Sequence, residues 1–249
     1  MRPIDQGDYC QVTVSADKKT TIKTSRDTYK VSTAREIRQH LLNYSYDLLK
    51  GPLKTARFLG AHVLESGARG DRFVVRHSQE TVQGTRLDRL PYEERMLRTA
   101  AVIAAMLSSP SRPRRPDLLL APLDAKPANF IVTPKGEPVL VDVYPPFYWD
   151  AQDQVRYGGY TRMNDQEKLH ANQYYGSQVG VAARLAALAI GLDTHTPPAV
   201  QIQAALDERA WHDQLLPDNI PDGTRQQIWE NTQLLLTTRL ESEAPRSAA

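Results

Sequence analysis

A chain of 249 residues with 41% hydrophobic and 24% charged side chains can bury a sizeable core, as one larger domain or as two small lobes. Its formal charge of +2 and pI near 8.6 are too mild for a nucleic-acid or membrane surface, and the local cluster of Arg112, Arg114 and Arg115 reads as a solvated loop. The single cysteine, Cys10, excludes an intramolecular disulfide and a multi-cysteine zinc site, and the six histidines show no metal-ligand spacing.

Residues 9–15 and 20–25 alternate loosely in hydrophobicity around Ala16-Asp17-Lys18-Lys19, which predicts a hairpin with a polar, glycine-free turn. A short strand around Tyr29-Lys30-Val31 follows. Ser32 or Thr33 then caps a helix with Glu36 in its first turn, and Ile37, Leu41, Leu42, Tyr44, Tyr46, Leu48 and Leu49 supply its apolar surface up to Gly51-Pro52. Residues 58–65 and 72–77 read as two further strands around a Gly-containing turn. From Pro91 to Ser108 the helical period is clear, with Leu97, Ala100, Ala101, Ile103, Ala104 and Leu107 on one face. A Pro-rich loop over 109–116 delivers the chain to Asp124.

The stretch from Ala121 to Pro146 concentrates the chemistry. Phe130–Thr133 and Pro138–Val141 are short apolar runs separated by Pro134-Lys135-Gly136-Glu137, the pattern of a β-hairpin. Asp124, Lys126 and Asn129 enter its first strand and Asp142 leaves its second, so antiparallel pairing returns Asp142 towards Asn129. Magnesium takes oxygen ligands, one or two of them from protein and others from nucleotide phosphates, and Asn129 and Asp142 suit that role. Asp124 suits the orientation or deprotonation of an acceptor hydroxyl, and Lys126 the neutralisation of a transferring phosphoryl group.

Downstream, residues 144–149 pack aromatics with prolines, and the polar segment 150–165 is a candidate acceptor-binding stretch. A helix with Val179, Val181, Ala182, Leu185, Leu188, Ala189 and Ile190 apolar ends at Gly191. Two more follow around 198–216 and 222–240, with Trp211 and Trp229 as core anchors, before a disordered tail at 241–249.

Asp124-Ala125-Lys126-Pro127-Ala128-Asn129-Phe130, with Asp142 beyond, resembles the catalytic loop and metal-binding Asp of the protein-kinase-like fold, which includes aminoglycoside and choline kinases. The chain departs from that pattern at Pro122, often His, and at Val143-Tyr144-Pro145-Pro146, where Phe-Gly or a similar pair is usual. The resemblance implies an α+β, bilobal architecture: a small β-rich lobe with one helix over residues 1–80, and a mainly helical lobe over 81–240 carrying the catalytic hairpin. It implies ATP and Mg2+ as cofactors. It also implies a strand Lys on the nucleotide phosphates held by a helix Glu. Glu36 is the Glu candidate, and Lys23 is favoured over Lys30 because Lys30 lies too close to Glu36 in the chain. By order of elements the interlobe hinge, whose backbone binds adenine, falls at Arg76, His77, Ser78 and Gln79.

The leading expectation is a kinase moving the γ-phosphoryl group of ATP to a hydroxyl of a small molecule. Alternatives are a kinase for Ser or Thr of a peptide, completed by a partner protein, and a nucleotide-sensing or scaffolding pseudokinase. Neither a basic leader nor a membrane-spanning apolar run is evident, so the expected location is the cytoplasm, with neither nucleic acid nor membrane as partner.

Overall fold

Cross-strand partners in an antiparallel ladder share a face of the sheet. In the hairpin formed by β2 (Cys10–Val14) and β3 (Thr20–Ser25), Cys10 faces Ser25, Val12 faces Lys23 and Val14 faces Thr21. The computed structural model describes residues 3–6, 10–66, 70–145, 148–149, 155–156, 169, 172–190, 203, 215–216 and 220–243. With β1 (Pro3–Gln6), β4 (Phe58–Glu65) and β5 (Phe73–Glu80), the hairpin makes a five-stranded antiparallel sheet in the order β1-β2-β3-β5-β4. β5 is therefore an inner strand. Val75, His77 and Gln79 are buried on one face of it, whereas Arg76 is exposed on the other.

Helix α1 (Val31–Leu48) lies on the buried face, and its inward side chains recur at helical spacing: Ala34, Ile37, Leu41, Tyr44 and Leu48. The first three join Tyr29, Ala61 and Val75 in a small apolar core. A fully buried side chain the size of Leu41 contributes about 1.5–3 kcal/mol. The expected Ser32 or Thr33 cap is not formed. Lys30 is the N-cap, without a side-chain cap hydrogen bond, because Tyr29 is fixed just before it by an antiparallel bridge to Phe73.

After α1 the chain crosses to a second sheet, β10-β9-β6, built from β6 (Thr85–Arg86), β9 (Phe130–Val132) and β10 (Pro138–Leu140). Residues 54–56 extend it: Leu140 N–H donates to Lys54 O at 2.9 Å and Ala56 N–H to Leu140 O at 2.8 Å. Gly84, at φ +150°, lets β6 press against β9, since a Cβ there would lie 2.1 Å from the Val132 carbonyl oxygen.

The larger core surrounds α3 (Gln178–Ile190), apolar on nearly every side and packed between α2 (Tyr92–Leu107) and α4 (Asp222–Glu243). Tyr44, Leu48 and Leu53 belong to this larger core, so the end of α1 serves both. Arg95 is buried against it, donating to Ala189 O at the end of α3 and to Leu90 O, where carbonyls with partial negative charge suit a guanidinium. The face of α2 differs from expectation. Met96, Thr99, Val102, Ile103 and Met106 point inward, while Leu97 is 62% exposed. The Pro-rich loop holds a small hairpin, β7 (Ser111–Arg112) with β8 (Arg115–Leu119), and α4 continues to Glu243, into the expected tail. β11 (Tyr148–Trp149) and β12 (Val155–Arg156) pair antiparallel. Most of the candidate acceptor stretch 150–165, Trp211 and most of the expected helix 198–216 lie outside the described residues. Among the described residues no helix is long and apolar enough to cross a membrane.

Candidate active site

The β9–β10 hairpin pairs Phe130 with Leu140, Ile131 with Val139 and Val132 with Pro138, and Gly136 closes its turn at φ +79°. One further rung, Val141 N–H to Asn129 O at 2.8 Å, brings the residue before Asp142 beside Asn129. Before β9, Pro127–Asn129 forms a single 3-10 turn. Proline suits its first position because its φ is already fixed and no amide donor is lost. Lys126 N–H donates to Asp124 O and Asn129 N–H to Lys126 O, so the loop is tied within itself.

Asn129 is buried and its amide nitrogen donates to Asp124 O at 2.8 Å and to Asp124 Oδ2 at 3.3 Å. That leaves Asn129 Oδ1 as the atom able to take a cation. Lys126 Nζ stands 3.2 Å from Asp124 Oδ2 and is 40% exposed. Asp124 Oδ1 is engaged from the other side by Arg184 of α3, whose Nη1 donates to it at 2.7 Å and also approaches Ala125 O at 3.3 Å. The sequence reading missed Arg184. Its signal was available, because Arg184 is the only charged residue of an otherwise apolar helix.

Lys23 crosses from β3 to the same site, donating to Asp142 Oδ1 at 2.7 Å and to Val141 O at 3.1 Å. Burial pushes the Asp142 carboxyl up, but the charge and hydrogen bond of Lys23 more than reverse this and hold it below the usual carboxylate range. Lys30 is exposed at the start of α1, so of the two candidate lysines only Lys23 meets Asp142. The expected Lys23–Glu36 pair is not formed. Glu36 neighbours Ile37 around the helix and is turned outward, 54% exposed, with its carboxylate 3.7 Å from His40 Nε2. From α1, Tyr44 instead approaches the site: burial, and then the charges of Asp142 and Asp124, hold its hydroxyl well above the ordinary tyrosine range.

Two hinge candidates turn towards this site and two do not. Gln79 donates from Nε2 to Val141 O at 2.7 Å, and His77 is 1% exposed between the rings of Phe58 and Tyr144. Burial, with Lys23 beside it, lowers the His77 pKa to about 3, so the imidazole is neutral. Arg76 lies on the outer face near Thr24 Oγ1, and Ser78 is half-buried between Ile22 and Gly60. The backbone of 76–79, the expected adenine-binding stretch, is strand interior in the structure. Both edges of that stretch are paired, with β3 on one side and β4 on the other, which leaves no row of main-chain groups for a ligand. The connector begins later, after Thr81 N–H has bonded to Lys19 O; among the described residues no backbone–backbone hydrogen bond involves Val82 or Gln83. Cys10, whose thiol burial pushes up to about 12, stays protonated beside Lys23.

Among the described residues there is no group of three or more His, Cys, Asp or Glu side chains able to hold a metal by themselves. Asn129 Oδ1 and the Asp142 carboxylate offer two hard oxygen donors. Such a pair fits magnesium bound jointly with phosphates and water, and does not fit a site enclosed by protein.

No family model and no curated protein sequence matches the chain. Among solved structures, the chain is similar to the aminoglycoside phosphotransferase APH(3'')-Id from Streptomyces rimosus, with a TM-score of 0.53 at 10% sequence identity, covering 94% of this chain and 92% of that one. At that identity the likeness speaks for the fold: an antiparallel sheet with one helix, followed by a helical region that carries the hairpin of Asn129 and Asp142, is the α+β protein-kinase-like fold.

Proposed function

We propose that the protein is an ATP- and magnesium-dependent phosphotransferase acting on a hydroxyl of a small molecule such as an antibiotic, a sugar or a natural product. The observation that carries this reading is the meeting of Lys23, Asp124, Lys126, Asn129 and Asp142 around one hairpin in a kinase-like fold. In the reaction the acceptor oxygen bonds to the γ-phosphorus, the bond to the β–γ bridging oxygen breaks, and ADP leaves. Asp124 accepts a hydrogen bond from the acceptor hydroxyl, orients it and provides a destination for its proton. Lys126 offsets charge on the phosphoryl group in transit, and Lys23 binds the nucleotide phosphates. Asn129 and Asp142 would hold the magnesium ion, which when bound supplies positive charge against the phosphates. The adenine would sit against the connector at Val82–Gly84, whose main chain is not consumed by the sheet.

Calorimetry of ATP binding with and without magnesium tests the nucleotide site. Magnesium-dependent binding is expected in the wild type and its loss in Asp142→Asn, whereas Asp124→Ala binds normally and fails to transfer label from γ-labelled ATP to any alcohol. Equal binding and full turnover in both variants would sink the assignment. Labelled product in peptide mixtures alone, with or without a partner protein, would move the acceptor to a Ser or Thr side chain.

One observation favours a second reading, a nucleotide-sensing pseudokinase. The inward face of α1 carries no acid, and the counter-charge of Lys23 is Asp142 itself. A nucleotide must then compete with Asp142 for Lys23. Magnesium-independent ATP binding with no transfer to any acceptor would support this second reading.

A further inference from the structure

Helix α3 is buried on nearly all sides, and a charge on it needs a partner, because an unpaired ion in such surroundings costs several kcal/mol. Arg184 finds Asp124. Its Nη1 donates to Asp124 Oδ1 at 2.7 Å and reaches Ala125 O at 3.3 Å, with the two side chains only 18% and 21% exposed. The guanidinium plane also stands over the Tyr175 ring, 4.4 Å from its centroid. Tyr175 belongs to the π-helical turn Asn172–Gly176, and its carbonyl accepts the N–H of Leu123 at 2.7 Å. The residue before Asp124, the residue after it and its own carboxylate are thus all fixed by one helix and the turn preceding it.

The two carboxylate oxygens of Asp124 are consequently not equivalent. Oδ1 is committed to Arg184, while Oδ2 faces Lys126 at 3.2 Å and Asn129 at 3.3 Å, on the side of the metal and phosphate ligands. We propose that Arg184 is a positioning residue for phosphoryl transfer. It locks the Asp124 side chain so that Oδ2 alone meets the acceptor hydroxyl, and Tyr175 keeps the guanidinium in plane. This rests on the phosphotransferase reading. Lys126 is not a substitute, because it approaches the opposite oxygen and is about twice as exposed as Arg184.

Among the described residues Arg184 engages Asp124, Ala125 O and Tyr175 and makes no hydrogen bond to Asn129 or Asp142, which separates its role from general support of the fold. Steady-state transfer from γ-labelled ATP, measured for the wild type, Arg184→Gln, Arg184→Lys, Asp124→Asn and the Arg184→Gln/Asp124→Asn double variant, tests it. Arg184→Gln should lower kcat about 10- to 100-fold, the cost of a misplaced reacting group, with the KM for Mg·ATP within about twofold of wild type. Arg184→Lys should recover part of that loss. In the Asp124→Asn background, Arg184→Gln should have no further effect, a non-additivity that a structural defect does not produce. Full turnover by Arg184→Gln, a matching rise in KM for Mg·ATP, or losses that multiply in the double variant would overturn the positioning role alone. A wild type that binds Mg·ATP by calorimetry yet transfers phosphate to no acceptor overturns the phosphotransferase reading and, with it, this role.

Discussion

Lys23, from β3, and Asp142, just beyond β10, lie far apart in sequence and form an ion pair of 2.7 Å between the five-stranded sheet and the β9–β10 hairpin. Because the folded Asp142 carboxyl sits below its unfolded value of about 3.9, its contribution to stability is complete above that pH and is lost as the pH falls through the lower folded value. Lys23→Met reverses the sign. Burial with no counter-charge disfavours the ionised carboxyl, so the variant should be less stable than wild type by about 1–3 kcal/mol at neutral pH, discounted from a fully buried pair for partial exposure. The gap should narrow as the pH falls below about 3.9 and on through the lowered folded value, where the carboxyl becomes protonated in both proteins. Urea unfolding midpoints across that range check it, and a gap independent of pH would contradict it. The spacing of Asp124, Lys126, Asn129 and Asp142 could be read from the sequence because a hairpin of fixed register converts chain separation into proximity. Glu36 was misread for a physical reason: Ile37 and Leu41 set the helix phase, and the residue next to an inward position is rotated by about 100° away from it. Arg184 was missed because its neighbours were read for apolarity, when the exception among them was the informative residue.

At the scale of elements, the strands and helices were largely legible from period and turn residues, and their neighbours in space were not. β5 was recognised as a strand, but its place between β3 and β4 is a long-range pairing that no local pattern records, and this moved the interlobe connector beyond Thr81. The inward face of α2 was also shifted, since Met96 and Met106 fill the core while Leu97 is left outside. Helix α3 and the π-helical turn before it show how closely such elements are fitted. At Gly180 an added Cβ would lie 1.8 Å from the Gln173 carbonyl oxygen and 2.8 Å from Ser177 Oγ. Gly180→Ala gains helix propensity of about 1 kcal/mol, which a backbone overlap of that size outweighs. The variant should lose about 2 kcal/mol net, a fall of roughly 4–8 °C in Tm for a domain of this size. The turn carries Tyr175, so the same substitution should also lower kcat without changing magnesium-dependent ATP affinity. Unchanged Tm by differential scanning calorimetry would mean that the turn yields freely.

Among the described residues two cores form, unequal in size and sharing α1. The smaller one consists of Tyr29, Ala34, Ile37, Leu41, Ala61 and Val75, with a few partly buried neighbours, whereas Tyr44, Leu48 and Leu53 belong to the larger one. Six side chains, two of them alanine, cannot offset the conformational entropy of a sheet and a helix, which runs to about 1–2 kcal/mol per residue. The sheet is instead held by links to the segment leaving the hairpin: Lys23 to Asp142 and Gln79 to Val141. A fragment of residues 1–84 should therefore show no cooperative thermal transition, because it lacks the partners of Lys23, Gln79, Tyr44 and Leu48. In the full chain the two cores should unfold together. Trp149, Trp211 and Trp229 all follow residue 84, so tryptophan fluorescence follows the larger part alone while far-ultraviolet circular dichroism follows both. Coincident urea transitions by the two probes are the expected result. An earlier dichroism phase, absent from fluorescence, would show that the sheet melts on its own, and the bonds between the sheet and the hairpin would then be too weak to hold Lys23 against Asp142.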